Sequence, residues 1–358
     1  MEESLPRRYK FEPLIPHLAI ANMTIRVGIL GATGYTALEL MRILLRHPGA
    51  EITVVTSRQD RASISATHPS LAGLLNLTLE DPDPAELAKR CDVVFSCLPH
   101  CASATIAPKL LAEGLRVIDL SADYRLDTPK SFHEWYGEEH PDPSRLGETP
   151  YGLPELFSEK IPAAKLIANP GCYPTSAILP LAPFLAKELI ETTDIIVDSK
   201  SGVSGAGRTP KLGNLYSEVN ESISAYSVGK HRHQPEIEQI LNRATGKQVD
   251  IIFTPHLTPM DRGILSAIYA KPKRPITAPE AMVILRDFYT GKPFVRIVDH
   301  LPATKFVAFS NYCDITARIV KGRLVLLSCI DNLIKGASGA AVQNFNLMYG
   351  FPETAALI

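Results

Sequence analysis

The stretch from Thr24 to Ser57 limits the fold more than any other. An apolar run, Thr24-Ile-Arg-Val-Gly-Ile-Leu30, enters a glycine turn, Gly31-Ala-Thr-Gly34, and continues into Ala37–Arg46, whose apolar residues recur at helical spacing. His47-Pro48-Gly49 breaks that helix, and Glu51-Ile-Thr-Val-Val-Thr-Ser57 reads as the next buried strand. Strand, glycine turn, helix and strand form the phosphate-binding βαβ unit, in which free N–H groups at the helix start face an anion. The glycines stand at 28, 31 and 34, with Ala37 where a third loop glycine often sits, so the strict dinucleotide fingerprint is not met.

Two more strand-like runs follow, Cys91–Leu98, leading into Pro99-His100, and Leu115–Ser121, with a helix from Ala102 to Glu113 between them. The repeated order predicts a parallel α/β sheet of Rossmann type, with ligands at the carboxyl ends of its strands. Gly31, Thr33, Gly34, Tyr35, Thr36 and Pro99 are therefore candidate cofactor contacts. The second strand ends Thr56-Ser57-Arg58, with no carboxylate at its tip for a ribose 2′-hydroxyl. Ser57 and Arg58 offer a hydroxyl and a guanidinium suited to a 2′-phosphate, which favours NADP(H) over NAD.

A chain of 358 residues exceeds one ordinary core, so two domains are expected. The net charge of −1 and the absence of a basic block give no footprint for nucleic acid. No apolar run reaches bilayer length, so no membrane partner is expected. The six cysteines lack framework spacing and read as reduced thiols of a cytoplasmic protein. Cys97-Leu-Pro-His100-Cys101 has no second ligand pair at zinc spacing, so no metal is expected. Residues 1–22 begin acidic and hold no apolar core segment of signal-peptide type; they are expected to be a poorly ordered extension.

The candidate nucleophile lies in Ala168-Asn-Pro-Gly-Cys172-Tyr-Pro-Thr175. Asn169, Pro170 and Gly171 form a turn, and Pro174 suits the first turn of a helix. Cys172 thus stands at or just before a helix N-terminus, where free N–H groups lower a thiol pKa. The apolar run beyond it contains Pro180 and Pro183, each of which removes a helical bond and should bend it. A second constellation is Lys230-His231-Arg232-His233-Gln-Pro-Glu236, ahead of a helix expected over Pro235–Leu241. It supplies an acid–base group, an orienter in Glu236 and an anion clamp within a few residues. The glycine and serine loop Ser201–Arg208 is a third candidate, for holding an anionic substrate. Strands are expected at Asp250–Thr254, Ile264–Tyr269 and Arg323–Cys329 in a second sheet, and the chain ends in a helix of small residues suited to close packing.

Several segments in this order resemble the N-acetyl-γ-glutamyl-phosphate reductase family: Gly31–Thr36, Val117–Arg125, Tyr151–Glu155, Asn169–Thr175, Ser201–Arg208, His231–Glu236 and Asp331–Gly336. The resemblance, from about Met23 to the C-terminus, implies a Rossmann domain over 23–171 with a helix returning in 331–358. A catalytic and oligomerisation domain like that of glyceraldehyde-3-phosphate dehydrogenase would span 172–330. It further implies Cys172 as nucleophile, His233 as acid–base, Asn332 near the nicotinamide, and a homotetramer or dimer. Ser121, Arg125, Ser204, Arg208 and Arg232 are the substrate-binding candidates, with His231 an alternative acid–base. The implied reaction is reduction of a small acyl phosphate through a Cys172 thioester. Competing readings are a reductase of aminoadipyl or aspartyl phosphate, a thiol hydrolase, and a nucleotide-binding regulator without enzymatic activity.

Overall fold

A computed structural model describes residues 24–58 and 60–358; the N-terminal extension expected at 1–22 lies outside the described residues. The first sheet comprises β1 (Ile25–Leu30), β2 (Ala50–Val55), β3 (Val93–Ser96), β4 (Arg116–Asp119) and β5 (Leu166–Ala168). All pairings are parallel, in the order β2-β1-β3-β4-β5. Successive residues serve opposite faces, as the strand period requires. Val27, Ile29, Val93, Phe95 and Ile118 enter one core, while Leu30, Val94 and Val117 enter the other. The order reverses at β1, so the crevice between the carboxyl ends of β1 and β3 is the switch point where such sheets take ligands.

The second sheet comprises β6 (Ile195–Ser201), β7 (Ser224–Ala225), β8 (Ile251–Leu257), β9 (Ile264–Ala270), β10 (Val295–Ile297), β11 (Cys313–Val320) and β12 (Arg323–Ile330). It is mixed, in the order β10-β11-β12-β9-β6-β8-β7. One face packs Val197, Phe253, Ile268, Ile315 and Leu326 into a core with the helix Cys172–Ala186. The other face leaves Ile196, Ile252 and Tyr269 exposed.

The helix Cys172–Ala186 runs through both Pro180 and Pro183. A proline in a helix interior costs about 3 kcal/mol. Here every residue from Tyr173 to Leu185 is buried, and that apolar burial outweighs the missing bonds. The final helix, Gly339–Tyr349, places Ala341, Val342, Phe345 and Met348 in the core of the first sheet. Before it, Gly336 N–H bonds Asp331 O and Ser338 N–H bonds Leu333 O, which makes Ile334–Ser338 a π-helical turn. Such turns recur beside functional sites, and this one borders Cys172.

Candidate active site

Two cavities meet at Cys172. One, of about 1120 Å³, runs from the Gly31–Ala37 turn past Ser57 and Pro99 to Cys172, His233 and Asn332. The other, of about 800 Å³, shares Arg125, Cys172 and His233 and is walled by Tyr136, Lys211, Tyr226, Lys230, His231 and Arg232. The first suits an elongated nucleotide and the second a small anion, with the thiol at their junction.

The first cavity starts at the switch point. Gly31 adopts φ +68°, and a Cβ there would lie 2.7 Å from Cys97 O. Gly34 caps the helix Tyr35–Leu44 without a side-chain bond, leaving the first-turn N–H groups to the cavity. Among the described residues no cluster of His, Cys, Asp and Glu is placed to hold a metal ion. None of the described helices is long and apolar enough to cross a membrane.

Cys172 is the first residue of its helix, with Gly171 as N-cap. The turn ahead of it is fixed from several sides. Asn169 N–H donates to Asp119 O (2.8 Å), its Nδ2 to Ala337 O (3.0 Å), and its Oδ1 accepts from Asn344 (3.1 Å). Arg125 Nε donates to Asn169 O (2.8 Å) and its Nη2 to Leu120 O (2.8 Å). Glu236 Oε1 accepts from Gly171 N–H (2.9 Å) and Tyr151 OH (2.7 Å), while Oε2 faces Arg125 Nη1 at 3.5 Å. A fixed backbone holds the sulfur in one place, which is what attack on an acyl carbon needs.

His233 begins the helix His233–Thr245, and a Cβ at Gly171 would lie 2.7 Å from its Nε2. Its Nδ1 is buried without a partner among the described residues. Burial, then His231, Arg125 and Arg232, hold its pKa well below the ordinary imidazole range. His231 Nδ1 accepts from His233 N–H (3.1 Å), and burial followed by Arg232 brings its pKa down to about 4. Burial pushes the Cys172 thiol up to about 11, outweighing the N–H of Tyr173 and the Arg125 charge that pull it down. The resting pair is a thiol beside a neutral imidazole. This corrects the depressed thiol pKa expected from the helix-terminal setting: desolvation of the thiolate exceeds the pull of the dipole.

The relatives are close. A reductase from Rhodopirellula baltica named N-acetyl-γ-glutamyl-phosphate reductase is 55% identical over 345 residues, 95% of this chain and 100% of the relative. One of the same name from Geotalea daltonii is 52% identical over 339 residues, 93% of this chain and 98% of that one. The chain belongs to the N-acetyl-γ-glutamyl-phosphate reductase family. Family models agree: the semialdehyde dehydrogenase NAD binding domain matches residues 26–164 and the semialdehyde dehydrogenase dimerisation domain matches 172–332. Aspartate semialdehyde dehydrogenase from Candida albicans, solved with NADP, superposes at a TM-score of 0.69 with 17% identity, covering 93% of this chain and 99% of that one. That likeness shows a shared fold: the Rossmann-type sheet with the mixed second sheet.

Most family-motif residues converge, but four are used otherwise than the sequence suggested. Glu236 was expected to orient the imidazole; its oxygens are taken by Gly171, Tyr151 and Arg125, so it braces the cysteine turn. Ser121 lines neither cavity and binds Asp119 through Oγ (2.7 Å) and N–H (3.0 Å). Arg58 is exposed and lies outside the nucleotide cavity, although Ser57 lines it. Arg208 reaches the glycine turn rather than the substrate cavity. Arg125 lines both cavities, and Arg232 faces the substrate side over the Tyr136 ring at 5.0 Å. Ser204 and Asn332 are joined at 3.0 Å, with Asn332 Oδ1 accepting from Gly263 N–H (2.7 Å).

Sequence reasoning gave no role to Tyr136, Lys211 and Tyr226, which wall the substrate cavity. Lys211, three residues after Arg208, was the available signal, a second cation in the same loop. Gly336 closes the Asp331–Gly336 segment. A Cβ there would lie 2.7 Å from Cys172 Cβ, so the π-helical turn approaches Cys172 only because residue 336 has no side chain. Gly336→Ala should lower kcat by about 10², the scale of a 1 Å misplacement, with KM for NADPH little changed. Steady-state kinetics showing wild-type kcat would refute that contact.

The depressed histidines also set a pH dependence. An unfolded imidazole takes up its proton near 6.5, whereas folded His231 does so near 4 and folded His233 well below the ordinary value. The unfolded chain therefore binds more protons as pH falls through this window, so stability is greatest above 6.5 and is lost below it. A Tm that declines from pH 6.5 toward 4 is expected. A His231→Gln variant should show a shallower decline, and a Tm slope unchanged by that substitution would contradict the assignment.

Proposed function

We propose that the chain reduces N-acetyl-γ-glutamyl phosphate with NADPH to N-acetylglutamate 5-semialdehyde and phosphate, a step of arginine biosynthesis, through a thioester on Cys172. The observation that carries this is the meeting of an elongated cavity and a cationic one at a single thiol with a neutral imidazole beside it. The fit to a dinucleotide rests on left-handed Gly31 and on the uncapped helix start at Gly34. The same site would hold NADPH along Gly31–Thr36, Ser57 and Pro99, with Asn332 at the nicotinamide end. When bound there, NADPH supplies the hydride.

The residues do the rest. Cys172 attacks the acyl carbon as His233 takes the thiol proton, and that proton leaves with the departing phosphate. The acyl group is then a thioester. A second proton, taken from solvent through His233, neutralises the oxygen of the reduced acyl carbon. Collapse to the aldehyde breaks the C–S bond, and the hydroxyl proton returns to sulfur through the same imidazole. Thiolate is the better leaving group for this collapse than an alkoxide from serine. Neutral His233 is free to accept the thiol proton as the C–S bond forms, which an imidazolium could not do. Arg232, Lys211 and Lys230 would neutralise the substrate's phosphate and carboxylate.

A homo-oligomer formed through the open face of the second sheet, working in the cytoplasm, fits this reading; exposed Ile196, Ile252 and Tyr269 support it. The test is a substrate panel. Purified chain with NADPH should oxidise the cofactor with N-acetylglutamyl phosphate much faster than with aminoadipyl or aspartyl phosphate. Preference for either of the others would move the substrate assignment, since one methylene is worth only about 1–3 kcal/mol in a pocket.

A further inference from the structure

A dinucleotide brings negative charge to the nucleotide cavity, on its bridging phosphates and, in NADP, on the ribose phosphate. Among the described residues that line it, two carry a guanidinium, Arg125 and Arg208, and none is lysine. Arg125 is spent at the cysteine end on Asn169 O, Leu120 O and Glu236. Among the described residues, the first half of the chain offers no cation at the nucleotide end of the lining. Arg58 lies outside it, and Arg61 is turned to Ser57 O (2.6 Å) and paired with Asp81.

Arg208 comes from the other half of the chain. Its Nη1 donates to Thr33 O (3.0 Å), inside the glycine turn, and its Nη2 donates to Thr67 O (3.2 Å). Thr67 ends the short helix Ile64–Thr67, beyond the tip of β2. The guanidinium therefore stands between the turn that takes a bridging phosphate and the segment where an adenosine ribose falls. Two of its five donors are used, and the planar fork suits phosphate oxygens. The neighbouring carboxylate of Asp60 accepts from Ala62 N–H (2.8 Å) and Thr67 Oγ1 (3.2 Å).

The loop that carries Arg208 is anchored, not loose. Ser204 donates from Oγ to Asp261 O (2.6 Å) and accepts from Asn332 Nδ2 (3.0 Å). We infer that Arg208 clamps a phosphate of the nucleotide cofactor from across the cleft, and does not bind the acyl phosphate. The inference rests on the NADPH reading above. It makes the catalytic unit part of the cofactor site, so a first-half fragment alone holds an incomplete one.

The test is equilibrium binding of NADPH and NADH to the full chain without substrate, for wild type, Arg208→Ala and Arg208→Lys. Arg208 is exposed, so neither variant threatens the fold. Arg208→Ala should weaken NADPH by at least about tenfold, the scale of one charge-assisted hydrogen bond, with partial recovery in Arg208→Lys. A loss confined to NADPH places the contact on the 2′-phosphate; an equal loss with NADH places it on the bridging phosphates. Either result supports the clamp. Unchanged NADPH affinity in Arg208→Ala overturns it, and a raised substrate KM alongside would return the residue to the acyl phosphate. A wild-type chain that binds neither nucleotide overturns the cofactor reading together with the clamp.

Discussion

Cys172→Ala is expected to lose acyl-phosphate reduction by about 10⁴-fold or more while still binding NADPH, because a nucleophile that acts as a unit with its base leaves little behind. Cofactor affinity should survive, since the glycine turn lies at the far end of the cavity. Wild-type enzyme mixed with N-acetylglutamyl phosphate and no cofactor should release one equivalent of phosphate per chain and gain the acyl mass on Cys172. Label found on another cysteine, with activity intact in Cys172→Ala, would remove the covalent step. Alkylation adds a second readout. A thiol pushed up to about 11 should label slowly near neutral pH and ever faster as pH rises, with no plateau near pH 7. A plateau there would show a resting thiolate.

The second large effect is at His233. His233→Asn should lower kcat by about 10²–10⁴ and leave substrate affinity much less changed, because proton transfer is needed in the transition state. His231→Asn should cost less: its Nδ1 is occupied by the His233 N–H, and it faces the substrate cavity alone. The two variants also separate by pH. His233 is neutral in the resting enzyme, so the acidic limb of kcat/KM should lie below 6.5, the ordinary imidazole value. A larger kcat loss in His231→Asn would transfer the proton-handling role to that ring.

The geometry explains why two imidazoles and a carboxylate so near in sequence have different jobs. At a helix start, His233 points back to the cysteine turn. Glu236, in the next positions of the same first turn, projects to Gly171 N–H and Tyr151. Spacing alone suggests a His–Glu pair, because a triad usually orients its base through a carboxylate. The decisive fact is tertiary: Tyr151, Gly171 and Arg125 arrive from three distant segments and claim both carboxylate oxygens.

Element by element, the first sheet was the more legible part. Strands β1, β3 and β4 are almost wholly buried and so read as continuous apolar runs between glycine, proline and polar breaks, whereas the three-residue β5 (Leu166–Ala168) was not anticipated. β11 was not anticipated, because Asp314 and Thr316 interrupt its apolar pattern. Both are buried, and Asp314 is paired with Arg296 on β10 (2.6 Å), a partner no local pattern names. The helix at His233 runs to Thr245, past the expected end at Leu241. Its C-terminal turn is stopped by Gly246 in the left-handed region rather than by loss of apolar spacing.

By itself the sequence determined the glycine turn between strand and helix, the parallel character of the first sheet, and the placing of Cys172 at a helix start. These follow from local rules: hydrophobic period, turn chemistry and the free N–H groups of a helix N-terminus. Tertiary structure decided which charges meet. It turned Arg208 to the glycine turn and Arg232 over the Tyr136 ring, spent Glu236 on the cysteine turn, and brought Gly336 against Cys172. It also set the protonation of the catalytic pair, since burial is a property of the packed molecule and its cost to a thiolate and an imidazolium exceeds what a helix end returns.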